Sequence, residues 1–132
     1  MKYKLFLDDE RLPKHVTWVS LPEGPWVIVR NYNEFVDYID GNGVPSFVSF
    51  DHDLSLEHYP HTISGKLYLP KDISYDIYNE KTGYDCAKWL VDHCIQNKLN
   101  FSEYQVHSMN PIGKENIIKY IESYKRSLAS LG

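Results

Sequence analysis

The sequence predicts an α/β domain: a parallel sheet of about four strands with flanking helices and a hairpin-like insertion at about residues 55–81. Two observations carry this. Short apolar, β-branched runs alternate with segments of helical period, the pattern of strands joined by crossovers. Cap signals open each helical segment: Asn31 with Glu34, Thr82 with Asp85, and Asn110 with Pro111. The 132 residues fit a single domain, 1–132, around one core.

Residues 2–7, KYKLFL, read as a first strand that ends at Asp8-Asp9. The segment 12–25 holds three prolines and no helical period, so it reads as loop with at most a short turn. PWVIVR, 25–30, is the second strand. A helix follows from Asn31 with an inner face of Phe35, Val36 and Ile39, stopped by Gly41-Asn-Gly43 and Pro45. SFVSF, 46–50, is the third strand. KLYLP and ISYDIY then alternate as a hairpin arm would, and an ordered arm fits better than so long a bare loop. From Thr82, Ala87, Leu90, Val91 and Cys94 mark one face of a helix. EYQVHS, 103–108, is the fourth strand. The last helix carries an apolar line at Ile117, Ile121, Tyr124 and Leu128.

Composition narrows the function classes. A formal charge of −4 argues against binding long duplex nucleic acid, which needs a basic surface. No segment approaches the roughly 18 apolar residues of a membrane span, and the first residues reach acids too soon for a signal peptide, so a soluble intracellular protein is expected. Cys86 and Cys94 lie about 12 Å apart along one helix, beyond the roughly 7 Å a disulfide spans, and read as reduced core thiols.

Polar residues gather where strands end. Asp8, Asp9 and Arg11 follow the first strand, Asp51, His52 and Asp53 the third, and His107, Ser108 and Asn110 the fourth. Parallel strands bring all three groups to one edge of the sheet, the edge where such sheets bind ligands. Packed carboxylates repel, so one takes up a proton or the site holds a cation. Asp8, Asp9, Asp51 and Asp53 form an all-oxygen donor set suited to Mg²⁺ or Mn²⁺. The start of the last helix, with Ser108, Asn110, Lys114 and Arg11, offers a phosphate seat. His52 and His107 titrate near neutrality and are candidate proton carriers, with Asp51 beside them.

Each group also has a plain structural use. Asp-Asp after a strand commonly makes a turn, a single histidine at a strand end is commonly structural, and Ser-x-Asn-Pro is good helix-cap chemistry. The His-Asp pair of DHDL resembles that of HD-type phosphohydrolases, which are all-helical, whereas this pair follows a strand. His15-Val-Thr17 fits one half of the two-histidine phosphoesterase signature and has no second half.

LFLDDERLP, FDHDL, TGYDCAKWL and HSMNPIGKENI resemble, in order, the motifs of the cyclic-phosphate-processing receiver-like domains of phages and bacteria, over about residues 4–120. The resemblance implies a receiver-like, flavodoxin-type sheet in the cytoplasm of a bacterial or phage-infected cell. It implies an acidic pair that holds Mg²⁺ (Asp8, Asp9), a phosphate-accepting position (Asp51) and a hydroxyl ending the fourth strand (Ser108). It also implies action on 2′,3′-cyclic phosphates of RNA ends or related cyclic nucleotides. The sequence departs from ordinary receivers: no fifth strand with its Lys is found, the first crossover is short on helix, and His52 and His107 are additions.

The expected function is a metal-dependent phosphodiesterase acting on a cyclic phosphate, with Tyr59, Tyr68 or Tyr75 of the arm as candidate base-stacking rings. The alternatives are a cyclic-nucleotide-binding module without turnover and a phospho-switch at Asp51.

Overall fold

A computed structural model describes residues 3–54, 61–63, 66–68 and 81–131. Among them the chain runs β1 (Lys4–Leu7), a 3-10 turn (Pro13–His15), β2 (Trp26–Val29), α1 (Tyr32–Asn42), β3 (Phe47–Phe50), β4 (His61–Ile63), β5 (Lys66–Tyr68), α2 (Gly83–Asn97), β6 (Glu103–Val106) and α3 (Pro111–Leu131). The main sheet has the order β2-β1-β3-β6, with every neighbour parallel. This is the flavodoxin-type order through its first four strands, the arrangement expected from the alternating pattern.

The helix starts follow from their caps. Asn31 Oδ1 accepts from the Glu34 amide at 2.9 Å, while the Glu34 carboxylate reaches past Asn31 to the Arg30 amide at 3.0 Å. Thr82 and Asp85 bond reciprocally, Asp85 Oδ2 accepting from the Thr82 amide at 2.9 Å. Asn110 Oδ1 accepts from the Gly113 amide at 3.0 Å. The first helix runs through Gly41 and stops at Gly43, whose φ of 87° suits a residue without Cβ.

Alternation along the strands divides the sheet into two faces. Leu5, Leu7, Val48, Phe50 and Val106 join Phe35, Ile39, Cys86, Leu90, Ile117 and Ile121 in one core, so all three helices cover the same face. Both cysteines are buried free thiols in that core. Tyr124 meets Phe101 ring to ring at 5.8 Å, but Leu128, expected on the same line, is exposed, because α3 runs on past the sheet. The opposite face carries Phe6, Trp26, Ile28 and Ser49, and the helix-free segment 8–25 lies against it. A cleft of about 580 Å³ beneath that segment is lined by Leu12, Val16, Leu21, Trp26 and Ile28, and no acid of the three strand-end groups lines it.

The insertion is present as the antiparallel pair β4–β5, with His61 opposite Tyr68. The run 73–78, Tyr59 and Tyr75 lie outside the described residues, as does the side chain of Tyr68. No described helix is long and apolar enough to cross a membrane.

Candidate functional site

The strand register builds the site. Leu7, Phe50 and Val106 are aligned across β1, β3 and β6. The next residue of each strand stays in the ladder: the amide of Asp51 bonds the Leu7 carbonyl at 2.9 Å, and that of His107 the Phe50 carbonyl at 2.9 Å. Asp8, Asp51 and His107 therefore stand in a row at the carboxyl edge, on the face of Phe6 and Ser49. All three are buried, and one ligating atom from each falls within 4.8 Å of the others.

Asp8 divides its two oxygens. Its Oδ1 accepts from the amides of Glu10 at 2.9 Å and Arg11 at 2.8 Å, which shapes the turn after β1. Its Oδ2 faces His107 Nε2 at 2.9 Å and Arg11 Nη1 at 3.7 Å. Burial alone would raise its pKa. The hydrogen bonds from His107, Arg11 and Glu10 outweigh burial and bring it down to about 2. Burial lowers the pKa of His107 in spite of Asp8 beside it. A neutral imidazole next to an ionised carboxylate places its proton on Nε2, donated to Asp8, so Nδ1 accepts from the Ser49 hydroxyl at 2.6 Å. The ring is further held flat against Phe6, with centroids 4.6 Å apart. His107 is fully buried with both nitrogens engaged, one at Ser49 and one at Asp8.

Asp51 is the strained member. Its Oδ1 accepts from the His52 amide at 2.9 Å, while its buried Oδ2 has no hydrogen-bond partner among the described residues. Burial, then the charges of Asp8, Asp53 and Asp9, push its pKa up to about 8, with Arg11 opposing. A buried carboxylate oxygen of this kind beside a second, ionised carboxylate fits a cation-binding site. The oxygen donors suit Mg²⁺ or Mn²⁺, and a cation there would offset both costs.

A second cluster ties this edge to the helices. Asp53 Oδ1 accepts from His52 Nδ1 at 2.9 Å and from Asn110 Nδ2 at 3.1 Å. Ser108 Oγ accepts from the Asn110 amide at 3.1 Å. Asn110 in turn takes the Gly113 and Lys114 amides, and Pro111 has none to offer. Asn110 thus caps the N-terminus of α3 with its own side chain and carbonyl. Lys114 stands half-buried on the first turn. Asp53 and His52 serve this knot, and neither belongs to the Asp8–Asp51–His107 group. Asp9, half-buried, acts on Asp51 through its charge.

Two glycines make the knot possible. A Cβ on Gly83 would sit 1.7 Å from the Asp51 carbonyl oxygen, and one on Gly113 would lie 2.3 Å from the His52 ring. The first turn of α2 therefore packs on the Asp51-His52 backbone, and that of α3 on the His52 ring. Sequence reasoning missed these glycines, Ser49 and Arg30. The Arg30 guanidinium bonds the carbonyls of Asp8 at 3.1 Å and Arg11 at 2.7 Å, and so fixes the turn that carries both. A hydroxyl inside the apolar run FVSF was the available signal for Ser49.

Receiver domains bind Mg²⁺ at acidic residues, and Asp8, Asp51 and His107 form an acidic cluster with a histidine at the corresponding edge. No curated protein and no solved structure matches the chain. The model of one family matches residues 3–123, nearly the whole length and all three strand-end groups. The chain belongs to that family, the cyclic-phosphate processing receiver domains.

Proposed function

We propose that the chain is a metal-dependent phosphodiesterase that opens a cyclic phosphate, either a 2′,3′-cyclic phosphate at an RNA end or a cyclic nucleotide. The observation that carries this reading is the unpartnered Oδ2 of buried Asp51 beside ionised Asp8. Asp8 and Asp51 would hold one Mg²⁺ or Mn²⁺, with Asp9 adding negative charge. When bound, the ion polarises a phosphoryl oxygen and lowers the pKa of a water.

The chain's own residues supply the rest. His107 and the amides of Glu10 and Arg11 keep Asp8 ionised and aimed. The Arg11 guanidinium, 3.7 Å from Asp8, would be the cation that meets phosphate charge. Overall, the elements of water add across one ester bond. A hydroxyl joins phosphorus, one ring P–O bond breaks, and the proton ends on the departing ribose oxygen.

The same orphaned oxygen supports a second reading, a phospho-switch at Asp51. Labelling by a small phosphodonor, abolished in Asp51→Asn, would favour that reading. A module that binds without turnover would return its ligand intact. Incubating a panel of cyclic phosphates with Mg²⁺ or Mn²⁺, with and without chelator, and analysing the products separates all three. A ring-opened monoester formed only with metal supports the diesterase.

A further inference from the structure

We infer that Trp18 and Met109 form a nucleobase platform at the rim of this site, so that the substrate is a base-bearing cyclic phosphate and not a bare sugar phosphate. The inference rests on the phosphodiesterase reading and names the residues that would hold the base of its substrate. Trp18 lies in the helix-free segment 8–25 yet is tied to the site: its Nε1–H donates to the His107 carbonyl at 2.7 Å. That bond uses the one polar atom of the indole, and Trp18 remains 38 % exposed as a residue.

Arg11 joins the platform to the acids. Its guanidinium lies 5.1 Å from the Trp18 ring centroid, Nη2 points to Met109 Sδ at 3.5 Å, and Nη1 lies 3.7 Å from Asp8 Oδ2. Met109, 64 % exposed, sits between His107-Ser108 and the cap of α3. Two large apolar side chains thus flank the cation proposed to meet the phosphate. A nucleobase carried on the same ribose as the cyclic phosphate matches that order of chemistry: charge at Arg11, a flat apolar face next to it. Stacking of one base is worth roughly 5- to 100-fold in affinity.

The test measures binding of adenosine 2′,3′-cyclic phosphate, adenosine 3′,5′-cyclic phosphate and base-free ribose 2′,3′-cyclic phosphate to the full chain in Mg²⁺. At least one base-bearing ligand should bind roughly tenfold or more above the base-free one. Trp18→Leu and Met109→Ala should each shrink that difference, the base-bearing ligand losing more affinity than the base-free one. Met109→Ala keeps the test alive if Trp18→Leu fails to fold, because Met109 is exposed. Equal affinity with and without the base, or an equal loss for both ligands in the variants, overturns the platform alone. Failure of every cyclic phosphate to bind overturns the phosphodiesterase reading with it.

Discussion

His107 reaches across the strand of Asp51 to set its Nε2 2.9 Å from Oδ2 of Asp8. Its other nitrogen is anchored at Ser49 on that intervening strand. The contact makes the imidazole a positioning group for the carboxylate that would carry the ion. His107→Gln should weaken Mg²⁺ or Mn²⁺ binding about 10- to 100-fold, read by titration calorimetry. Excess metal should restore most of the turnover. A loss of about 10²–10⁴ in kcat that saturating metal leaves unrepaired would instead assign His107 to proton transfer.

Asp51 should make the metal-free protein less stable as pH rises. Its folded pKa, about 8, lies above its unfolded value near 4, so the native state binds the extra proton between them. The stabilisation is complete below about pH 4 and is lost as pH climbs through about 8, on the order of several kcal/mol in all. Melting temperatures across that window should fall for the wild type and stay nearly flat for Asp51→Asn. Mg²⁺ should recover the wild type at the alkaline end and leave the variant unmoved. Asp8 has the opposite sign: its pKa of about 2 contributes stability above about pH 4 that disappears as pH falls toward 2.

Gly113→Ala should damage stability and site together. The added methyl would meet the His52 ring at 2.3 Å, so either α3 or the His52 ring, with its bond to Asp53, must shift. A destabilisation of about 1–3 kcal/mol by chemical denaturation is expected, with weaker metal binding in the molecules that remain folded. Unchanged stability and unchanged metal affinity would show that the α3 clamp does not hold the acids in place.

Arg11→Ala should lower kcat/KM on a cyclic phosphate by about 10²-fold, with divalent-ion binding largely kept. Arg11→Lys should recover part of that loss, because the charge returns without the two-pronged guanidinium. Steady-state kinetics at saturating metal checks both. An Arg11→Ala variant as active as the wild type would move the phosphate seat elsewhere.

Much of this was legible before any coordinates. The β-branched runs and the caps at Asn31, Thr82 and Asn110 placed strands and helices, because those signals are local. Parallel strands then required Asp8, Asp51 and His107 to share one edge. What stayed hidden depended on the third dimension. The sequence shows three groups of polar residues, and nothing local says which side chains face the site and which knot the backbone. Nothing in FDHDL says that Asp53 would bond His52 and Asn110 while Asp51 faces Asp8. Gly83 and Gly113 read as ordinary helix residues until the approach of His52 and Asp51 is seen. Trp18, in a proline-rich loop without period, had no pattern to betray its bond to His107.

The most direct measurement is product analysis in water enriched in heavy oxygen. Wild-type protein with Mg²⁺ or Mn²⁺ should convert a cyclic phosphate into a monoester carrying one heavy oxygen on phosphorus, and chelator or Asp51→Asn should stop it. Recovery of the ligand intact and unlabelled across the panel, with metal present, would contradict the phosphodiesterase.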